Sequence, residues 1–147
     1  MLTATCSGNS TEKLSVLRKA ILHNGVPSHE LSLLCPYTTD SSKFLVASDC
    51  CQVVEEDGFL INVSGPLCTF LYQTKDICTF LDLRYALIAF GMSDQAIILL
   101  EKKLHSGESA IIVDCEGTIG HDIEEDVAQE YQRSNTPSSQ SLISFLH

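Results

Sequence analysis

The stretch CQVVEEDGFLINVS, residues 51–64, contains two short apolar segments that flank an Asp-Gly pair. Valine and isoleucine favour strands, and both Asp57 and Gly58 tolerate the positive φ of a tight turn. The pattern therefore predicts a β-hairpin. Strand-like segments also occur at residues 43–48 and 67–72, so the simplest arrangement is an antiparallel meander.

Helical periodicity dominates much of the remaining chain. The predicted helices lie at residues 11–23, 76–91, 93–107 and 123–132, with a single helical turn at 29–34. The second helix is apolar on nearly all faces, which is typical of a buried helix. Ser93 is suited to cap the third helix, and residues 109–114 form a further predicted strand.

These patterns indicate the α+β class. We expect an N-terminal helix, an antiparallel sheet of four to five strands, two consecutive apolar helices packed on one face, and a C-terminal acidic helix. A chain of 147 residues is long enough for one domain with a core of its own. We therefore predict a flexible N-terminus at residues 1–9, a single domain at 10–133, and a Ser-rich tail with an apolar end at 134–147.

Charge and hydropathy restrict the classes of partner. Nineteen acidic residues against nine basic ones give a formal net charge of −10, whereas binding to nucleic acid needs a basic face. A protein partner of the acidic C-terminal region would carry a basic surface.

No apolar run is long enough to span a membrane, and we expect a cytoplasmic or nuclear location. The seven cysteines contain no C-x-x-C pair, which favours buried thiols over a metal site.

The segment AIIVDCEGTIGHD, residues 110–122, places two carboxylates after an apolar strand. Asp114 and Glu116 at the end of a strand are able to share a divalent cation. The segment resembles the first motif of the haloacid-dehalogenase-like phosphatases and the opening D-x-E of the DnaQ-like exonucleases. Either resemblance implies a Mg²⁺-dependent enzyme of phosphoryl transfer or nuclease type. Those families use further lysine or acidic residues downstream, and no lysine follows Lys103, so we favour a structural turn here and keep the enzyme as the alternative.

The C-terminal segment QSLISFLH, residues 140–147, ends the Ser-rich tail with an apolar cluster. Such a cluster is typical of a peptide that docks into a groove on a partner. Its glutamine and aliphatic positions resemble a sliding-clamp-binding peptide, although Leu146 and His147 stand where that pattern has aromatic residues. The candidate docking residues are Gln140, Leu142, Ile143, Phe145 and Leu146. Alternatively, the segment folds back onto its own domain.

The sequence thus favours a non-catalytic adaptor or regulatory protein that acts through protein–protein contacts. The apolar central helices offer a surface for self-association, so a homodimer is expected, and no cofactor is predicted. The composition also suits a viral accessory protein.

Overall fold

The computed structural model describes residues 2–6, 11–36, 50–55, 57–72, 78–113, 123–134 and 143–146. The strands are β1 (Leu2–Cys6), β2 (Leu31–Pro36), β3 (Cys50–Val54), β4 (Leu60–Ser64), β5 (Cys78–Thr79), β6 (Ser109–Val113) and β7 (Ile143–Phe145). The helices are α1 (Thr11–His23), α2 (Pro66–Tyr72), α3 (Phe80–Ala89), α4 (Asp94–His105) and α5 (Glu124–Ser134), with a 3-10 turn at Ser28–Glu30. The α+β class is confirmed.

All seven described strands belong to one sheet, in the order β5-β3-β4-β2-β6-β1-β7. Neighbours in this order are antiparallel, except β3 and β5, which are parallel. The sheet is therefore mixed and has more strands than the four or five predicted. The extra strands pair with segments distant in sequence, which local patterns do not reveal.

The sheet lies between two layers of helices because its central strands are apolar on both faces. In β2, Leu34 faces one hydrophobic cluster, whereas Leu33 and Cys35 face the other. Strand β6 alternates in the same way, as expected for strands buried on both sides. Helices α2, α3 and α4 pack on the Leu34 side, and α1 and α5 pack on the opposite side. His23 of α1 contacts Glu130 of α5 and ties those two helices together.

The N-terminal segment differs from its prediction. Residues 1–9 are predicted to be flexible, but Leu2–Cys6 form β1, whose five residues are all buried. The strand lies between β6 and β7. Its alternation puts Leu2 and Ala4 against α1 and α5, while the intervening threonines, being β-branched, suit the extended backbone. Thr3 and Thr5 are therefore part of the sheet.

Helix α2 replaces the strand predicted at residues 67–72. Gly65 has φ +90°, and Pro66 takes the first helical position, where its missing N–H costs nothing. The backbone N–H of Leu67 donates to the buried Ser32 Oγ at 3.0 Å. This contact from β2 satisfies one of the free donors at the helix start, so tertiary structure overrides the strand preference of the segment.

Several local predictions are confirmed. The Asp57-Gly58 turn joins β3 to β4, and Gly58 has φ +86°. Ser93 Oγ accepts a hydrogen bond from the N–H of Ala96 at 3.2 Å and caps α4. Cys6, Cys35, Cys51, Cys68 and Cys78 are buried. Burial raises the pKa of Cys35 to about 11, although a hydrogen bond with Ser109 lowers it. Cys35 is thus a neutral core side chain.

Candidate functional site

A cleft of about 800 Å³ opens where the β3–β4 hairpin meets the start of α3 and the middle of α4. Its lining residues are Val54, Glu55, Asp57, Thr79, Phe80, Leu81, Arg84 and Glu101. The wall is mostly apolar, and a few charged groups converge on it, which is the usual composition of a ligand-binding cleft. The charged groups therefore decide what this cleft is able to bind.

The hairpin turn positions two carboxylates at one edge of the cleft. Glu55 follows the last residue of β3, and its backbone N–H donates to the Phe59 carbonyl at 2.9 Å. Asp57 Oδ1 accepts a hydrogen bond from the N–H of Phe59 at 3.0 Å. The backbone of the tight turn thus fixes Glu55, and a side-chain bond to that backbone fixes Asp57.

His105, the last residue of α4, completes this group. Its Nε2 contacts Glu55 Oε2. The imidazole stacks on Phe59, with ring centroids 4.4 Å apart and an angle of 17° between the planes. Phe59 belongs to the same hairpin as the two carboxylates. The hairpin therefore contacts His105 through Glu55 and orients its ring through Phe59.

Glu55 is the most buried of the charged groups. Only 8% of its side chain is exposed, and Oε1 is buried with no hydrogen-bond partner among the described residues. Burial raises the pKa of Glu55 above its usual 4.5; His105 opposes this shift, and the nearby Glu101 adds to it. The ionised carboxylate therefore lies where more positive charge would stabilise it.

Arg84 and Glu101 cross the cleft between α3 and α4. Arg84 Nη2 lies 3.5 Å from Glu101 Oε2, and the guanidinium carbon lies 5.8 Å from the centroid of the Phe80 ring. The capping box between Thr79 and Asp82, in which Asp82 Oδ2 accepts from the Thr79 N–H at 2.8 Å, fixes the start of α3. These contacts hold one wall of the cleft in place.

Of the residues proposed from sequence, Asp114, Glu116, Gln140 and Leu142 lie outside the described residues, so the predictions that rest on them stay predictions. The structure places Ile143 and Phe145 in β7, half-buried beside β1. Leu146 donates its N–H to the Thr3 carbonyl at 2.9 Å and is buried in the cluster under α3 and α4. These three residues thus contact their own domain.

Sequence reasoning misses the cleft residues as a group. It identifies Asp57 only as a turn residue, and it places His105 only within the third predicted helix. The acidic run before Gly58 is a visible signal, but nothing local connects it with the C-terminus of α4. The pairing of Glu55 with His105 arises only once the sheet and helices are assembled.

None of the described helices is long and apolar enough to cross a membrane. Comparison with protein-family models, with curated proteins and with solved structures gives no match to this chain.

Proposed function

We propose that this protein is a non-catalytic adaptor or regulatory protein that acts through protein–protein contacts, and that it associates with a second copy of itself through the outer face of α3 and α4. The observation that carries this proposal is a row of exposed apolar side chains. Leu81, Tyr85 and Ile88 of α3 are 55%, 64% and 45% exposed. They follow helical spacing along the side opposite the buried Leu83 and Leu87.

Helix α4 carries two further exposed apolar residues. Ile98 and Leu99 are about half exposed, and they belong to a helix that packs on the same face of the sheet as α3. We call Leu81, Tyr85, Ile88, Ile98 and Leu99 the outer helical surface. Single exposed apolar residues are ordinary, but five on two consecutive helices are typical of an interaction site.

A second copy fits this surface better than a charged partner does. The five side chains carry no charge, so they offer nothing for a basic or acidic partner to recognise. The acidic first turn of α5, with Glu124, Glu125 and Asp126, lies with its helix on the other side of the sheet. Two chains that pair through the outer helical surface keep these like charges apart, and a twofold axis sets identical apolar rows against each other.

Sedimentation velocity of the full chain tests the proposal. We expect a dimer in a concentration series up to about 100 µM, which detects association free energies as weak as roughly −5.5 kcal/mol. The double substitution Tyr85→Ser and Ile88→Ser is expected to yield a monomer with unchanged circular dichroism. Lys19→Ser with Gln132→Ser, at exposed positions of α1 and α5, is the matched control and is expected to remain dimeric. A wild-type chain that stays monomeric throughout the series contradicts the proposal.

A further inference from the structure

Glu55, Asp57 and His105 form a cluster of potential metal ligands at the edge of the cleft. One ligand atom from each lies within 4.8 Å of the other two. The distances between protein ligands around a bound ion are shorter, since metal–nitrogen and metal–oxygen bonds are about 2.0–2.2 Å. Side-chain rotations have to close this difference, and Asp57 and His105 are exposed residues whose side chains have room to move.

An independent feature of Glu55 also favours a cation at this site. Its side chain is more than nine-tenths buried, being 8% exposed, yet Oε1 has no hydrogen-bond donor within the described parts of the chain. Leaving a buried carboxylate oxygen without a partner is costly. A cation bound between Glu55, Asp57 and His105 would offset the charge of this buried carboxylate and would use the second acidic residue as well.

The contacts around the three ligands resemble those of a preorganised metal site. Phe59 holds the His105 ring by stacking, and its backbone N–H holds Asp57 Oδ1. Metal ligands are usually oriented by such neighbouring contacts. Glu101 also lines the cleft, but Arg84 pairs with it. The proposed ligand set therefore has one nitrogen and two carboxylates, and the cleft leaves room for water.

We propose that Glu55, Asp57 and His105 bind a divalent transition-metal ion, with Zn²⁺ as the best match. Mg²⁺ and Ca²⁺ prefer sets made only of oxygen ligands, whereas an imidazole nitrogen beside carboxylates suits Zn²⁺ and its transition-metal neighbours. The ion would replace the direct contact between His105 and Glu55 and fasten the β3–β4 turn to the end of α4. None of the three ligands belongs to the outer helical surface, so the site goes beyond the proposed function.

The experiment titrates Zn²⁺ and Co²⁺ into the full chain after treatment with a chelator, with Mg²⁺ as a comparison. We expect one transition-metal site per chain, a melting temperature that rises with Zn²⁺, and no comparable shift with Mg²⁺. The visible spectrum of Co²⁺ reports the ligands, and we expect it to lack the near-ultraviolet band of cobalt–thiolate bonds. That band separates this site from binding to cysteines.

Variants identify the ligands. His105→Gln and Glu55→Gln are each expected to lower the affinity for Zn²⁺ at least about 100-fold, since even supporting residues around metal ligands contribute 10–100-fold. His29→Gln, at an exposed position in the 3-10 turn, is the matched control and is expected to bind as the wild type does. Circular dichroism without metal checks that each variant is folded. Wild-type affinity in folded His105→Gln or Glu55→Gln, a cobalt–thiolate band, or no binding by the wild type would each overturn the proposal.

Discussion

At Gly65 the backbone leaves no room for a side chain. Its φ of +90° is in the region that favours glycine, and a Cβ there would lie 2.2 Å from the carbonyl oxygen of Leu31 and 2.9 Å from Ser32 Cα. Both neighbours are backbone atoms of β2 and cannot rotate away. The close approach also brings the start of α2 to Ser32 Oγ, so the glycine positions both the chain reversal and the cap.

We expect Gly65→Ala to lower the free energy of unfolding by roughly 3 kcal/mol or more, because the added methyl group combines a steric clash with an unfavourable φ. Gly58→Ala is the matched control: its φ is +86°, but nothing lies within 4 Å of the added Cβ. In that variant the free energy of unfolding is expected to fall by only about 1 kcal/mol. Urea denaturation followed by circular dichroism measures both, and equal losses would show that the contact with β2 is unimportant.

At the scale of elements, the sequence predicts those helices, strands and turns that are specified by residues close together along the chain. Asp57 and Gly58 specify the hairpin because a tight turn needs residues that tolerate positive φ. Ser93 marks the start of α4 because a cap acts within three residues. The apolar run of residues 110–113 indicates a buried strand. Each of these signals is complete within a few positions.

The elements that escape prediction are specified by distant partners. Strand β1 pairs through Leu2 with Val113 of β6, and no pattern within residues 1–9 indicates that neighbour. Helix α2 has the composition of a strand, and Ser32 supplies its cap from another element. The candidate metal site escapes for the same reason, since His105 reaches Glu55 only through the packing of α4 against the sheet. Turns and caps can be predicted from the sequence, whereas contacts between residues far apart along the chain cannot.

Strand β7 leads to a prediction about the tail. Residues 143–145 add a strand beside β1, and the buried Leu146 joins the cluster beneath α3 and α4. Burying one leucine side chain contributes about 2 kcal/mol, and loss of β7 also exposes the edge of β1. A chain that ends at Leu142 is therefore expected to be less stable by roughly 2–4 kcal/mol.

Thermal and urea unfolding of the shortened and full chains measure this loss. Leu146→Ala is expected to reproduce much of it, whereas Ser144→Ala, at a half-buried position of β7, is expected to change little. Unchanged stability of the shortened chain would mean that the segment contributes nothing to its own domain. The prediction of a docking peptide on a partner would then be favoured.

At the scale of the whole molecule, the central strands connect the two hydrophobic clusters. Leu33 and Leu34 of β2 point into opposite clusters, and so do Ile111 and Ile112 of β6. All the described strands belong to one sheet, so both helical layers pack on the same strands. Loss of either cluster therefore exposes one face of the same strands, and we expect the described elements to unfold as one cooperative unit.

Two cavity-forming substitutions test this cooperativity from opposite sides. Leu17 of α1 and Leu87 of α3 are fully buried in different clusters. Replacing either by alanine is expected to lower the free energy of unfolding by roughly 3 kcal/mol, which raises the equilibrium constant for opening about 100-fold. Hydrogen exchange read by mass spectrometry should then show faster exchange of the most protected amides in α1, α4 and β6 alike, for both variants. Lys19→Ala, at an exposed position of α1, controls for substitution itself and should leave these rates unchanged. If Leu17→Ala accelerated exchange in α1 and α5 but not in α4, the two helical layers would be separate folding units. Strands β2 and β6 would then stay folded when the helices on one of their faces unfold.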